Sequence, residues 1–208
     1  MERIPVRFDR AEGRVIEAAV ARLRTGAVIA YPTEALYGLG VDIRLSAAVA
    51  RLIQLKGRPA EKPISVVVSD REMLERWVRV PKSAEPLIAA YWPGPLTLIL
   101  PARPLVPPLL LGNGSGLGVR LPGVELACEL CRVLGAPITA TSANRSGGVE
   151  PRTGEHVALA LGHGLDLLLD AGALPQGKAS TVLDLSGETP RLIREGAVTR
   201  EMLAPYLH

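Results

Sequence analysis

Short apolar runs alternate with stretches of helical periodicity along most of this chain, a pattern that predicts an α/β protein. Residues 10 to 24 read as a helix behind Asp9, ended by Gly26, and AVIAY at 27 to 31 reads as a strand stopped by Pro32. Ser46 is expected to cap a second helix that runs to about Leu55 and ends near Gly57, with ISVVV at 64 to 68 as the next strand. Asp70 opens a further helix. LTLIL, LGVRL, PITAT, DLLLD, STVLDL and PRLI then supply strand candidates around helices near 83 to 91, 124 to 134 and 153 to 163. The expectation is a mixed sheet with flanking helices. No join resembles a long Gly/Ser or Pro linker and no internal repeat is apparent, so residues 1–208 are expected to form one domain.

Polar insertions fall where these strands and helices end: PTEALYGLG after AVIAY, KGRPAEKP after the second helix, PG after LGVRL, and TSANRSG after PITA. Open α/β sheets bind ligands at the carboxyl ends of their strands, so these insertions are candidates for one pocket. Composition narrows what it could hold. The chain carries +3 formal charge with a pI near 9.1, a mild basic excess that suits nucleotides or RNA. No run approaches the ~18 apolar residues of a spanning helix, and MERIPVRFDR lacks the apolar core of a signal peptide, which predicts a cytoplasmic protein with no membrane partner.

Cys128 and Cys131 form CELC, but Val124, Ala127, Leu130 and Leu134 recur around them at helical spacing. The pair therefore lies inside an amphipathic helix rather than at the strand-to-helix turn where a redox dithiol gains from a helix N-terminus. A zinc site would need two more ligands, and His156, His163 and His208 show no matching spacing.

In KGRPAEKP, Lys56 and Arg58 stand two apart, and Pro59 biases Arg58 towards an extended form, in which both cations would project to one side. An ammonium and a planar guanidinium suit a triphosphate; a solvated basic turn is the other reading. In PTEALYGLG the Thr33 hydroxyl can donate and accept, and Gly38 and Gly40 would let a ligand approach the backbone. Glu34 could serve metal or amine binding or lie at the surface, and Tyr37 could stack on a ligand or cover the core. The glycines of LGNGSGLGVRLPG are followed by strand-like VRL, not by a helix that would receive a pyrophosphate, so a flexible lid or bulged loop is expected there. Arg120, inside that apolar strand, needs an anionic partner from the protein or from a ligand.

The order YPTEALYGLG, KGRP, YWPGPLTLIL, GVRLPG, TSANRSG and STVLDL with PRLIREG resembles the YrdC-like family, and more narrowly its L-threonylcarbamoyladenylate synthases, over roughly residues 10 to 200. The resemblance implies a twisted open α/β sheet with a large basic concave pocket. It also implies the conversion of L-threonine, bicarbonate and ATP, the last with Mg²⁺, to threonylcarbamoyl-AMP and pyrophosphate. The product would serve a tRNA threonylcarbamoyl transferase complex, with tRNA itself as a further partner. Carried over by position, Lys56, Arg58, Ser142, Asn144 and Arg194 would contact ATP, with Lys56 and Arg58 catalytic; Thr33, Arg120, the main chain at Ala140, and Ser180 would contact threonine. Ser142 and Asn144, as i and i+2, would face the same side. Longer members carry a C-terminal domain behind a linker, so with the chain ending at His208 any lid from that domain is expected to be absent or replaced.

The chemistry needs no protein nucleophile. Threonine's amine and bicarbonate give a carbamate whose carboxylate can attack the α-phosphorus, so positioning and charge neutralisation are the protein's tasks. The rival from another class is a double-stranded RNA or tRNA binding module without catalysis. With two Trp, four Tyr and one Phe, the chain shows no clustered stacking platform for it. A carbamoyl-adenylate transfer domain of hydrogenase maturation is a second rival, but such domains sit in longer chains with zinc-binding and acylphosphatase-like parts.

Overall fold

The computed structural model describes residues 1–8, 10–59 and 61–207. Its elements in chain order are β1 Glu2–Pro5, α1 Gly13–Arg24, β2 Ile29–Pro32, β3 Tyr37–Gly40, α2 Ser46–Lys56, β4 Val66–Val67, α3 Arg71–Trp77, α4 Glu85–Tyr91, β5 Leu96–Pro101, β6 Gly116–Arg120, α5 Glu125–Leu134, β7 Ile138–Thr139, β8 Thr141–Ser142, α6 Gly154–Leu161, β9 Leu167–Asp170, β10 Thr181–Asp184, β11 Arg191–Arg194 and α7 Arg200–Leu203. The mixed α/β architecture is the expected one, but its strands divide between two sheets. One has the order β1-β9-β2-β3-β8, parallel from β1 through β2 and antiparallel beyond. The other runs β11-β10-β5-β6-β4-β7, with parallel pairs at β10-β5 and β6-β4.

The division is made at the site. PITAT, expected as one strand, breaks at Ala140, whose amide donates to Ser65 O at 2.7 Å. Ile138–Thr139 therefore pairs with β4 in the second sheet, while Thr141–Ser142 pairs with β3 in the first. Ala140 thus joins the two sheets where their strands end.

Several boundaries differ from the sequence expectation for local reasons. Helix α1 starts at Gly13, with the Glu12 carbonyl accepting from Val15 N and Ile16 N; the expected cap, Asp9, lies outside the described residues. Ser46 does not cap α2 but is its first helical residue, because the carbonyl of Leu45 already accepts from Ala48 N and Val49 N. Asp70 does cap α3, accepting from Met73 N at 2.8 Å, and Thr153 caps α6 through His156 N. Pro32 is the last residue of β2 rather than the residue that stops it, paired with Tyr37 across a tight turn. β1, β3 and α7 were not expected. In β3 the glycines make room for Tyr31: a Cβ on Gly38 would stand 3.0 Å from Tyr31 Cζ, and one on Gly40 3.1 Å from Tyr31 Cε1. The close approach that these glycines permit is made, within the chain, by Tyr31.

The core is continuous, with β2 wholly buried and Val20, Leu23, Leu39, Leu98, Val119, Leu130 and Leu168 among its fully enclosed side chains. Among the described residues no helix is long and apolar enough to cross a membrane.

Candidate functional site

A cavity of about 500 Å³ takes its walls from both sheets: Tyr31, Gly38 and Thr141 from the first, and Thr97, Gly118, Arg120 and Val182 from the second. Such a volume lies within the range of small-molecule sites. Of the residues nominated from sequence, Thr33, Arg58, Arg120, Ala140, Ser142, Asn144, Ser180 and Arg194 all line it. Lys56 does not.

The β2–β3 turn supplies Thr33, whose amide and Oγ1 both donate to Leu36 O, at 3.1 and 2.6 Å, leaving the hydroxyl lone pairs for a ligand. The same turn supplies Glu34, which ion-pairs with Arg120 and accepts from Gly123 N at 2.7 Å. Arg120 also donates through Nε to Gly94 O at 3.0 Å. The anion required by a half-buried arginine is thus present in the protein, and Glu34 is not a free surface carboxylate; among the described residues it belongs to no cluster that could hold a metal. Desolvation acts to raise the Glu34 pKa, but the Arg120 charge and its hydrogen bond prevail and hold it below the usual carboxylate value. Two of the five guanidinium donors of Arg120 are engaged in these bonds, and among the described residues the others make no further hydrogen bond.

On the opposite wall, Ser142 Oγ donates to Asn144 Oδ1 at 2.7 Å, so the two side chains share one side as expected. Asn144 Nδ2 in turn donates to Gly148 O and Val149 O at 2.9 and 3.0 Å, folding the following loop back over the strand end. Lys56 stands behind this wall. It ends α2, Gly57 adopts a left-handed conformation after it, and Nζ donates to Ser142 O and to Asn144 O, the latter at 2.8 Å. The extended geometry that would have set Lys56 beside Arg58 is therefore absent. A helix end intervenes, and Lys56 is only 2% exposed. Burial, then the Arg58 charge, bring its pKa down to about 8. Arg58 lines the cavity while donating to Lys62 O at 3.4 Å and Pro63 O at 2.7 Å; burial lowers its pKa.

Ser180 and Arg194 close the remaining side. Ser180 Oγ lies 3.0 Å from Thr97 Oγ1, and Arg194 Nη2 donates to Ser180 O at 2.7 Å. The glycine-rich segment forms a turn whose Gly112 has φ +57°, and Gly116 and Gly118 belong to β6 itself rather than to a lid. Gly118 is required because a Cβ there would stand 2.5 Å from Ser65 Oγ. Tyr37 is a core residue. Its hydroxyl lies within bonding distance of Gly172 O (2.8 Å) and Asp170 Oδ1 (3.1 Å) and accepts from Ala171 N. Cys128 and Cys131 lie in α5 as expected; burial pushes the Cys128 thiol up to about 11 and raises Cys131 further.

Sequence reasoning missed Lys62 and Lys178, which also line the cavity. Among the described residues, the cationic lining of Arg58, Lys62, Arg120, Lys178 and Arg194 faces Glu34 and Glu150 as its only carboxylates. Lys62 belongs to the KGRPAEKP segment, whereas no sequence pattern marks Lys178.

Fold and site together define a two-sheet α/β protein with a cleft between the sheets whose charged lining is mostly Arg and Lys. The chain belongs to the Sua5/YciO/YrdC family, described as telomere recombination, whose model matches residues 21–196. A threonylcarbamoyl-AMP synthase of Pyrococcus abyssi is 38% identical over 93% of this chain and 57% of its own length. One from Stenotrophomonas maltophilia is 44% identical over 77% of this chain and 89% of its own. The crystal structure of P. abyssi Sua5 complexed with L-threonine superposes with a TM-score of 0.93 at 36% identity, covering 100% of this chain and 61% of that one. The chain thus spans a little over half the length of the P. abyssi proteins it matches.

Proposed function

We propose that this chain is an L-threonylcarbamoyladenylate synthase, joining L-threonine, bicarbonate and ATP into threonylcarbamoyl-AMP with release of pyrophosphate. The observation that carries the reading is the convergence of Thr33, Arg120, Ala140 and Ser180 with Arg58, Ser142, Asn144 and Arg194 on one cavity. Relatives named for this activity support it.

Threonine would place its carboxylate on Arg120, with its remaining polar groups towards Thr33, Ser180 and the carbonyl of Ala140, whose amide is bound to Ser65 O. Its neutral amine and bicarbonate give the carbamate and water. A carbamate oxygen then bonds to the α-phosphorus as the bond from that phosphorus to the bridging oxygen breaks, and pyrophosphate leaves. The cleft's contribution is to hold the two reactants in line and to set fixed positive charge against the phosphates. ATP would lie along Ser142, Asn144, Arg58 and Arg194.

Magnesium would enter with the nucleotide. The lining carboxylates are already engaged, Glu34 by Arg120 and Glu150 by Arg152, so the described residues offer no dedicated oxygen cage. An ion held by phosphates and water fits that donor set, and it would shield the triphosphate's charge.

The product is a mixed anhydride suited to acyl transfer, and we place it upstream of the transferase complex that builds threonylcarbamoyladenosine in tRNA. An RNA-binding module would present its cations outward to a phosphate track, whereas these line a cleft of small-ligand size. The test is pyrophosphate release from ATP. Release should require L-threonine and bicarbonate together, and equal release without threonine would reject the reading.

A further inference from the structure

The cations singled out by the KGR motif are both committed to backbone carbonyls. Lys56 Nζ is bound to Ser142 O and Asn144 O, and Lys56 O accepts from Ser146 N, so one residue ties α2 to the Ser142–Ser146 segment twice. Arg58 spans Lys62 O and Pro63 O, which fixes the backbone from which Lys62 projects. Arg120 is paired with Glu34, and Arg194 is bound to Ser180 O. Two cavity-lining cations remain. Among the described residues, the ammonium groups of Lys62 and Lys178 have neither an ion pair nor a hydrogen bond.

Neither lysine hangs from a loose end. Lys62 N donates to Pro59 O, and its carbonyl is held by Arg58. Lys178 stands in the connection from β9 to β10, between Gly177, whose carbonyl accepts from Arg152 Nη2, and Ala179, whose carbonyl accepts from Ala197 N. Both therefore project from pinned backbone into a cleft whose lining carboxylates, Glu34 and Glu150 among the described residues, are already paired. An unpaired ammonium with three donors and a flexible stem can follow a phosphate chain, which a guanidinium locked to carbonyls cannot do.

We infer that Lys62 and Lys178 are the residues that meet the β- and γ-phosphates of the nucleotide, while Lys56 acts as a positioning residue that shapes the Ser142–Asn144 wall. This rests on the nucleotide half of the proposed function and assigns its phosphate contacts. Lys56 cannot turn to the phosphates without releasing two carbonyls behind the wall, whereas Lys62 and Lys178 can engage them without breaking a bond.

The experiment is a calorimetric comparison of AMP with Mg²⁺-ATP, which isolates the contribution of the outer phosphates. The wild type should bind ATP more tightly than AMP. Lys62→Ala and Lys178→Ala should each cut that preference about tenfold, the scale of one hydrogen bond to a charged group, with AMP affinity unchanged. Lys62→Arg and Lys178→Arg should retain most of it. Lys56→Met should weaken AMP and ATP alike. Thermal unfolding of the surface variants should match wild type, which separates lost contacts from lost fold. A Lys62→Ala/Lys178→Ala double variant that keeps the wild-type preference would overturn the inference, as would a selective loss of that preference in Lys56→Met. If pyrophosphate release with threonine fails but the ATP preference and its loss are observed, the phosphate site stands and the threonine reaction falls.

Discussion

Replacing Lys56 by methionine tests whether a charged ammonium is held inside the cleft wall. Its pKa is brought from the lysine value of 10.5 to about 8 by burial and then by Arg58, while in the unfolded chain it returns to the ordinary value. Well below pH 8 both states hold the proton, and folding bears the full cost of burying the charge. Between about 8 and 10.5 the folded protein has released the proton while the unfolded chain keeps it, so stability contributed at this site rises with pH. At about 1.36 kcal/mol per pH unit the whole change is roughly 3 kcal/mol, most of it gained by about pH 10. Urea unfolding of wild type and Lys56→Met at neutral pH and near pH 10 measures it. Other titrating groups are common to both proteins, so their contributions largely cancel in the difference. The wild type should gain roughly 2 to 3 kcal/mol on the variant as pH rises. A difference that stays flat would refute the buried ammonium and with it the positioning role of Lys56.

Arg120→Lys keeps the charge but loses the planar fork that spans Gly94 O and Glu34. Threonine binding should weaken by roughly 1.5 to 3 kcal/mol with ATP binding close to normal, read by calorimetry with each ligand. Gly112→Ala puts a Cβ 2.2 Å from Glu61 O at a positive φ, and chemical unfolding should show a loss of about 2 kcal/mol or more. The raised thiols of Cys128 and Cys131 should resist iodoacetamide in the native protein at pH 8, and Cys128→Ser should leave turnover intact; rapid native alkylation would contradict the buried-helix placement.

What the sequence made legible follows from where the physics is local. Asp70, Thr153 and Gly57 mark helix ends because a cap or a left-handed residue acts within one turn. The i, i+2 spacing of Ser142 and Asn144 placed both on one side, and their side chains meet. The same logic failed at Lys56, where the two-residue spacing from Arg58 spans a helix terminus and carries no extended geometry. β3 stayed hidden because its glycines answer to Tyr31, a partner in the neighbouring strand that no local pattern reveals. The break of PITAT at Ala140 likewise depends on Ser65, and so does the division into two sheets. Lys178 gave no signal because its meaning lies in what it lacks, a partner, which only the assembled cavity displays.

Pyrophosphate release alone would also accompany simple adenylation of threonine, so the central claim is tested most directly by the identity of the adduct. The purified protein, incubated with ATP, Mg²⁺, L-threonine and ¹³C-bicarbonate, should yield an adenylate that carries both threonine and the labelled carbon, seen by mass spectrometry. An unlabelled threonyl-adenylate, or no adenylate in protein that binds ATP, would contradict the account.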